Sequence, residues 1–252
     1  MGKALNFLLV CEGPTDLVFL KRLARNIGQD LGCDINVTEL SPQRDATSGT
    51  WPPHGWSEVR RWCQTWKIKS DAEIESVNPI FREMVKRRNW KALVATPNVD
   101  GLIVQIDTDI AEEIRDLDVD FVNFDGTRRE FCHKAVSCWL DINNDEQCYI
   151  LLPSYALEAW ILATHEPDSE CFKDLEDSFN YENISDIETF LLQLGYPRKT
   201  VRGAKRFRKN VPKYNDYADL VFENSPSVQM RCKEYKDFSE FLDVSANNKL
   251  NN

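Results

Sequence analysis

The chain has no excess of positive charge: 31 Lys and Arg stand against 41 Asp and Glu, a net charge of −10. That argues against a passive nucleic-acid binder held by overall charge. An enzyme acting on nucleic acid needs only a local basic groove beside metal-recruiting carboxylates. Long apolar runs are missing as well. None reaches the ~18 residues of a membrane span, and Met1 to Val10 lacks the long apolar core and cleavage site of a signal peptide. The eight cysteines, at 11, 33, 63, 132, 138, 148, 171 and 232, form neither a CxxC pair nor a Cys/His grid of zinc spacing. His54, His133 and His165 show no ligand spacing, and His133, beside Cys132 in a predicted helix, reads as packing. Low-complexity tracts and internal repeats are absent. The expectation is a reduced, cytoplasmic protein without membrane contact, its thiols serving as small apolar fillers.

What is present is a chain of 252 residues, 42% of them apolar, enough for one large α/β domain or one domain with an appendage. Asn6 to Cys11 is a continuous apolar run, as in strands buried on both faces. Glu12-Gly13-Pro14-Thr15-Asp16 breaks it, and Leu17, Leu20, Leu23, Ala24, Ile27 and Leu31 follow at helical spacing, with Pro14 suited to the first turn. Asp34 to Leu40 alternates like a strand, and Ser41 to Pro53 is a polar loop. Ser57 to Trp66 reads as a short helix, and Ile74 to Trp90 as a helix with Val77, Ile80, Phe81, Met84 and Val85 on one face. Gly101 to Ile106 and Cys148 to Leu152 are further buried strands, Thr127 to Leu140 is a helix, and a helix begins in Tyr155 to Thr164. Val119 to Phe124 fits a strand or an extended loop.

Strands alternating with helices predict an α/β fold with a central, mostly parallel, doubly wound sheet of Rossmann-like type. Right-handed crossovers then place all strand C-termini on one edge, where such sheets bind ligands. The organisation predicted is a catalytic domain over 1–165, a mainly helical C-terminal region over 166–244 with a basic segment, and a polar, flexible tail over 245–252.

Each buried strand delivers an acid to that edge. The first ends in Glu12; the Gly101 to Ile106 run ends in Asp107 and Asp109; Glu158 lies in the first turns of the helix after Leu152-Pro153. Clustered carboxylates repel one another, and a divalent cation compensates them. In an extended segment residues i and i+2 point the same way, so Asp107 and Asp109 can face one ion. Gly13 removes a side chain beside Glu12, letting a backbone or phosphate come close. Asp16 suits a helix cap or a group holding a metal-bound water. An Asp-x-Asp or a Glu-Gly turn alone is ordinary loop chemistry; the order and spacing of all of them carry the reading.

In this combination the sequence resembles the Toprim superfamily, through Leu9-Val10-Cys11-Glu12-Gly13-Pro14-Thr15-Asp16 and Ile103-Val104-Gln105-Ile106-Asp107-Thr108-Asp109. It looks most like the small stand-alone Toprim proteins and the nucleases of the overcoming-lysogenization-defect type, in which a later Glu-Ala-Trp segment is matched by Leu157-Glu158-Ala159-Trp160. The resemblance covers roughly residues 5 to 163. It implies a Toprim-like catalytic domain and Mg²⁺- or Mn²⁺-dependent hydrolysis of DNA or RNA. Glu12 would be metal ligand or general acid/base, Asp107 and Asp109 metal ligands, and Glu158 a ligand for a second ion. It also implies a role in bacterial antiphage defence beside an ATPase-type partner, or as a homo-oligomer.

Arg198 to Lys213 holds eight basic residues and no acid. Arg198, Lys199, Arg202, Arg206, Arg208 and Lys209 could bind phosphates, with Gly203 and Pro212 interrupting the segment; the plain reading is a solvated face balancing the acids before it. The resemblance implies a catalytic Lys beyond the Asp-x-Asp, a place Lys205 or Lys199 could fill. Trp51, Trp56, Trp62 and Trp66 could stack bases, although Trp62 and Trp66 at i, i+4 also fit helix packing, and the acids from Glu112 to Asp120 fit a solvated face. Two other readings remain: a non-catalytic regulatory or sensor subunit of the same fold, and a receiver- or haloacid-dehalogenase-type phosphatase. Against the latter, its nucleophilic Asp normally follows the first strand, where this chain has Glu12.

Overall fold

Four strands, β1 (Ala4–Val10), β2 (Asp34–Ser41), β3 (Gly101–Gln105) and β4 (Cys148–Leu151), form a parallel sheet in the order β2-β1-β3-β4 in the computed structural model of the chain. The structure describes residues 3–143, 145–176 and 179–251. The helices are α1 (Pro14–Asp30), α2 (Trp56–Trp66), α3 (Asp71–Ser76), α4 (Arg82–Arg87), α5 (Trp90–Val94), α6 (Arg128–Leu140), α7 (Glu158–Leu162), α8 (Ile187–Gln193), α9 (Lys213–Glu223), α10 (Ser225–Arg231) and α11 (Lys233–Asn251). A separate antiparallel hairpin joins β5 (Arg198–Val201) to β6 (Ala204–Phe207). Among the described residues no helix is long and apolar enough to cross a membrane.

Side-chain alternation along the strands builds two cores. Leu5, Phe7, Leu9 and Cys11 face α1 and the C-terminal helices, while Val10, Leu102, Val104 and Ile106 face α2, α5 and α6. Each Leu, Val or Phe so buried contributes about 1.5–3 kcal/mol of transfer free energy. Gly28 lets α1 pass close to the start of β2, since a Cβ there would lie 2.4 Å from the Cys33 carbonyl. The first core also takes in Tyr214, Val221, Phe238 and Leu242, so the chain beyond residue 165 completes a layer on the parallel sheet.

This strand order sets the place of the site. From β1 the chain runs through α1 to β2 on one side; from β3 it runs through α6 to β4 on the other. The loops after the adjacent β1 and β3 diverge and leave a crevice at their carboxyl ends, the switch point where doubly wound sheets bind ligands.

Three expectations give way. The single helix over 74–90 is broken: Pro79 has no amide hydrogen to continue it, residues 79–81 form one 3₁₀ turn, and α4 ends at Arg87. Ile80, Phe81 and Met84 are consequently exposed rather than packed along one face. Within the mainly helical C-terminal region, the basic segment, expected only to be interrupted at Gly203 and Pro212, forms a hairpin. Arg202 and Gly203 both take left-handed φ, 48° and 81°, which a two-residue hairpin turn requires. The tail expected to be flexible over 245–252 continues α11 through Asn251. Ala246 is buried, Lys249 pairs with Asp100 at 2.7 Å, and Lys3 Nζ donates to the Leu250 carbonyl at 2.9 Å. Residue 252 lies outside the described residues.

Candidate metal centre at the sheet edge

β1 and β3 pair with Val10 opposite Val104, so the residues that follow each strand emerge side by side. Glu12 and Asp107 are joined through their loops: the Asp107 amide donates to Glu12 Oε1 at 2.8 Å. Gln105 ties the same pair from below. Its carbonyl oxygen accepts the Glu12 amide at 3.2 Å and its Nε2 donates to Asp107 Oδ1 at 2.9 Å. Gln105 is fully buried, a polar side chain set into an apolar strand. That was its signal in the sequence, and it was missed. Replacement of Gln105 by Leu leaves Asp107 unsupported; the expected result is a 10- to 100-fold loss of divalent-metal affinity, measured by titration calorimetry, with the fold retained by circular dichroism.

Thr108 fixes the turn between the two aspartates. Its Oγ1 donates to the Pro153 carbonyl at 3.1 Å and accepts the Tyr155 amide at 2.8 Å, while the Asp109 amide donates to the Tyr155 carbonyl at 3.2 Å. The Asp-Thr-Asp segment is thereby stitched to the loop after β4. Asp107 is buried and Asp109 exposed, so the pair presents one carboxylate inward and one to solvent.

Asp16 does not cap α1. Gly13 is the N-cap, and Asp16 lies buried in the first turn with its Oδ1 lacking any hydrogen-bond partner. A Cβ at Gly13 would come within 3.2 Å of Asp16 Oδ2 and 3.6 Å of the His54 ring. The glycine therefore leaves room around the Asp16 carboxylate. Glu158 is also buried and accepts from the Tyr214 hydroxyl and from Lys209 Nζ at 2.8 Å. Tyr214, on α9, carried no motif by which sequence could find it.

The electrostatics follow from too many acids around one ammonium. Burial, reinforced by Asp16 and Asp109, pushes Glu12 up to about 8. Burial and the Glu158 charge push Asp16 up to about 7. Burial and Glu12 hold Asp107 well above the usual carboxylate range, and burial raises Asp109 against the pull of Lys209. Glu158 goes the other way: burial opposes its charge, but Lys209 and the Tyr214 hydroxyl outweigh it and bring it below its ordinary value. Lys209 is raised despite burial because Glu158, Asp107 and Asp16 surround its ammonium.

The basic segment divides by strand alternation. Lys199 stands opposite Arg206 and Val201 opposite Ala204 on one hairpin face; Thr200 stands opposite Lys205 on the other. Lys199, Val201, Arg206 and Lys209 line a cavity of about 600 Å³ together with Asp109, Tyr155, Glu158, Asp186 and Glu188. Lys205 is absent from that lining; the lysine that reaches the carboxylates is Lys209, beyond the hairpin. Arg198 pairs in register with Phe207, Arg202 sits in the exposed turn, and Arg208 follows β6 with its amide on the Pro197 carbonyl at 2.7 Å. Arg206 is also paired to Glu188 at 3.1 Å.

Other candidates resolve into structure. Glu112 pairs with Arg128, and Asp116 pairs with Arg60 at 2.9 Å and accepts the Trp139 indole N–H at 2.8 Å. Trp62 and Trp66 stack on each other along α2 at 6.0 Å, as their i, i+4 spacing allows.

The donor set suits a hard cation: every acid offers oxygen, and Asp16 Oδ1 is a buried oxygen without a partner. Among the described residues no three Asp, Glu, His or Cys side chains form a ready-made cage. Glu12 and Asp107 are the carboxylates that would hold such a cation, with Asp16 placed to hold a bound water. Comparison with protein-family models, with curated proteins and with solved structures yields no match, so the reading of this site stands on its own geometry and chemistry.

Proposed function

We propose that the chain is a divalent-metal-dependent nuclease that hydrolyses phosphodiester bonds at the carboxylate edge of its sheet. The observation that carries this reading is the joining of Glu12 and Asp107 at the switch point, with Asp109 of the same loop lining a cavity that also holds Glu158, Lys199, Arg206 and Lys209. A bound Mg²⁺ or Mn²⁺ would supply Lewis-acid polarisation of the phosphodiester. The chain supplies the rest. Glu12, in its ionised form, can take a proton from the attacking water as the new oxygen–phosphorus bond forms. Lys209 faces the negative charge that grows as the old bond breaks, and the departing oxygen takes its proton from solvent. Lys199 and Arg206 are placed to hold flanking phosphates.

The assay is cleavage of plasmid DNA, single-stranded DNA and total tRNA with Mg²⁺, Mn²⁺ or EDTA. Metal-dependent cleavage is expected; cleavage that persists in EDTA, or no cleavage of any substrate, overturns the reading. The alternative is a non-catalytic regulatory subunit of the same fold. It is favoured if partner binding is intact and no substrate is cut.

The two lysines separate by position. Lys209→Ala is expected to lower kcat about 100-fold or more, because it removes the ammonium paired with Glu158. Lys205→Ala, on the far face of the hairpin, is expected to change kcat less than about threefold and to weaken substrate binding only slightly, in a salt-dependent way.

A further inference from the structure

Tyr155 has a conformation that folding alone does not explain. Its φ is +57°, in the left-handed region that bulky side chains rarely enter. It is the centre of a tight turn in which the Ala156 amide donates to the Ser154 carbonyl at 2.8 Å. Two bonds to the Asp-Thr-Asp loop hold it there: its amide donates to Thr108 Oγ1, and its carbonyl accepts the Asp109 amide. Strain of this kind persists where surrounding structure imposes it, and it gathers at ligand sites.

The consequence is an aromatic ring at the edge of the metal centre. Tyr155 lines the 600 Å³ cavity together with Asp109 and Glu158, and also lines a neighbouring cavity of about 560 Å³. Arg128 lines only the neighbouring cavity and lies over the Tyr155 ring at 5.0 Å. Arg128 is itself fixed by Glu112, by the Thr108 carbonyl at 3.1 Å and by stacking over Phe121 at 4.9 Å. The ring is thus backed by a clamped guanidinium and half-buried, at a spacing from the carboxylates set by its own backbone bonds to Thr108 and Asp109.

We propose that Tyr155 is a stacking platform for an unpaired nucleobase next to the phosphate at the carboxylate edge, so that the site selects single-stranded or locally opened nucleic acid. This rests on the nuclease reading and adds the substrate's strandedness to it. Base stacking on an aromatic face is sequence-tolerant, and a pocket of this size takes a splayed-out nucleotide rather than a duplex. Asp107 and Glu158 lie too deep for a phosphate still held on a paired helix.

The test uses full-length Glu12→Gln protein, which retains substrate without cutting it, and DNA and RNA oligonucleotides carrying 2-aminopurine. Tyr155→Phe keeps the ring, and Tyr155→Asn removes it with a residue that tolerates left-handed backbone. The single-stranded oligonucleotide is expected to bind the parent and Tyr155→Phe with quenching of the probe. Tyr155→Asn loses the quenching and about 10- to 100-fold in affinity, and an abasic site at the probed position erases that difference. Equal affinity and quenching in Tyr155→Asn, or the same loss on the abasic strand, overturns the platform while the nuclease reading stands if wild-type protein cuts. Failure of wild-type protein to bind or cut any polynucleotide overturns both.

Discussion

Asp107→Asn and Glu12→Gln are each expected to lower metal-dependent cleavage by about a thousandfold or more, with little change in fold. Both substitutions keep volume and hydrogen-bonding capacity, so the Asp107 amide can still donate to residue 12 and Gln105 can still meet residue 107. What they remove is a negative oxygen at the one point where two diverging loops meet. Charge supplied to a phosphoryl displacement through a metal is worth several kcal/mol, which sets the scale of the loss. Because the residues act as one unit, the double variant is expected to be no slower than the worse single one. Steady-state cleavage of a labelled oligonucleotide in Mn²⁺ measures this. Activity within tenfold of wild type in either variant removes that residue from the mechanism.

The second large effect concerns stability, and its sign is opposite to that of most substitutions at buried sites. Glu12 ordinarily titrates at 4.5 and is raised to about 8 in the folded chain, mainly by burial. A carboxyl raised in this way contributes stability that is fully present below its unfolded value and is lost as pH climbs through its folded value. Asp16, raised from 3.8 to about 7, acts in the same direction, and burial and the Glu12 charge raise Asp107 as well. Metal-free wild-type protein is therefore expected to lose stability between about pH 5 and pH 8.5. Glu12→Gln removes the repulsion. At pH 8.5 without divalent ions its melting temperature is expected to exceed that of wild type by roughly 3–8 °C, equivalent to about 1–3 kcal/mol. At pH 5 the two should melt alike. Saturating Mg²⁺ or Mn²⁺ is expected to raise wild type and not the variant, because the ion binds only the folded carboxylates. A variant that is destabilised at every pH would show that Glu12 is held by structure and is under no electrostatic load.

Most of the parallel sheet was legible because each strand is a run of apolar residues closed by turn chemistry. NFLLVC before Glu-Gly-Pro and GLIVQI before Asp-Thr-Asp mark both the strands and the edge they share. The acids at that edge were legible for the same reason, since a strand end fixes where its next residue goes. What escaped lies in contacts distant in sequence. Lys209 meets Glu158 and Tyr214 meets the same carboxylate from the opposite end of the chain, and no local pattern reports such a meeting. The hairpin was hidden because its own positions Arg198, Lys199, Arg202, Lys205 and Arg206 read only as charge, while its turn depends on left-handed backbone at Arg202 and Gly203. The helix over 74–90 failed because apolar spacing was given more weight than Pro79. The tail was read as flexible from its polar composition, although Lys249 and Leu250 are fastened to Asp100 and Lys3.

The most direct measurement is calorimetric titration of Mn²⁺ into the full-length protein at pH 7, repeated in two buffers of different ionisation enthalpy. Glu12, raised to about 8, and Asp16, raised to about 7, hold protons near neutrality that a cation must displace. The expected result is binding by wild type with release of about one proton, tighter as pH rises, and binding weakened about 100-fold or more in Asp107→Asn. Heat that is absent in wild type, or a titration that Asp107→Asn leaves unchanged, contradicts a metal centre at this edge.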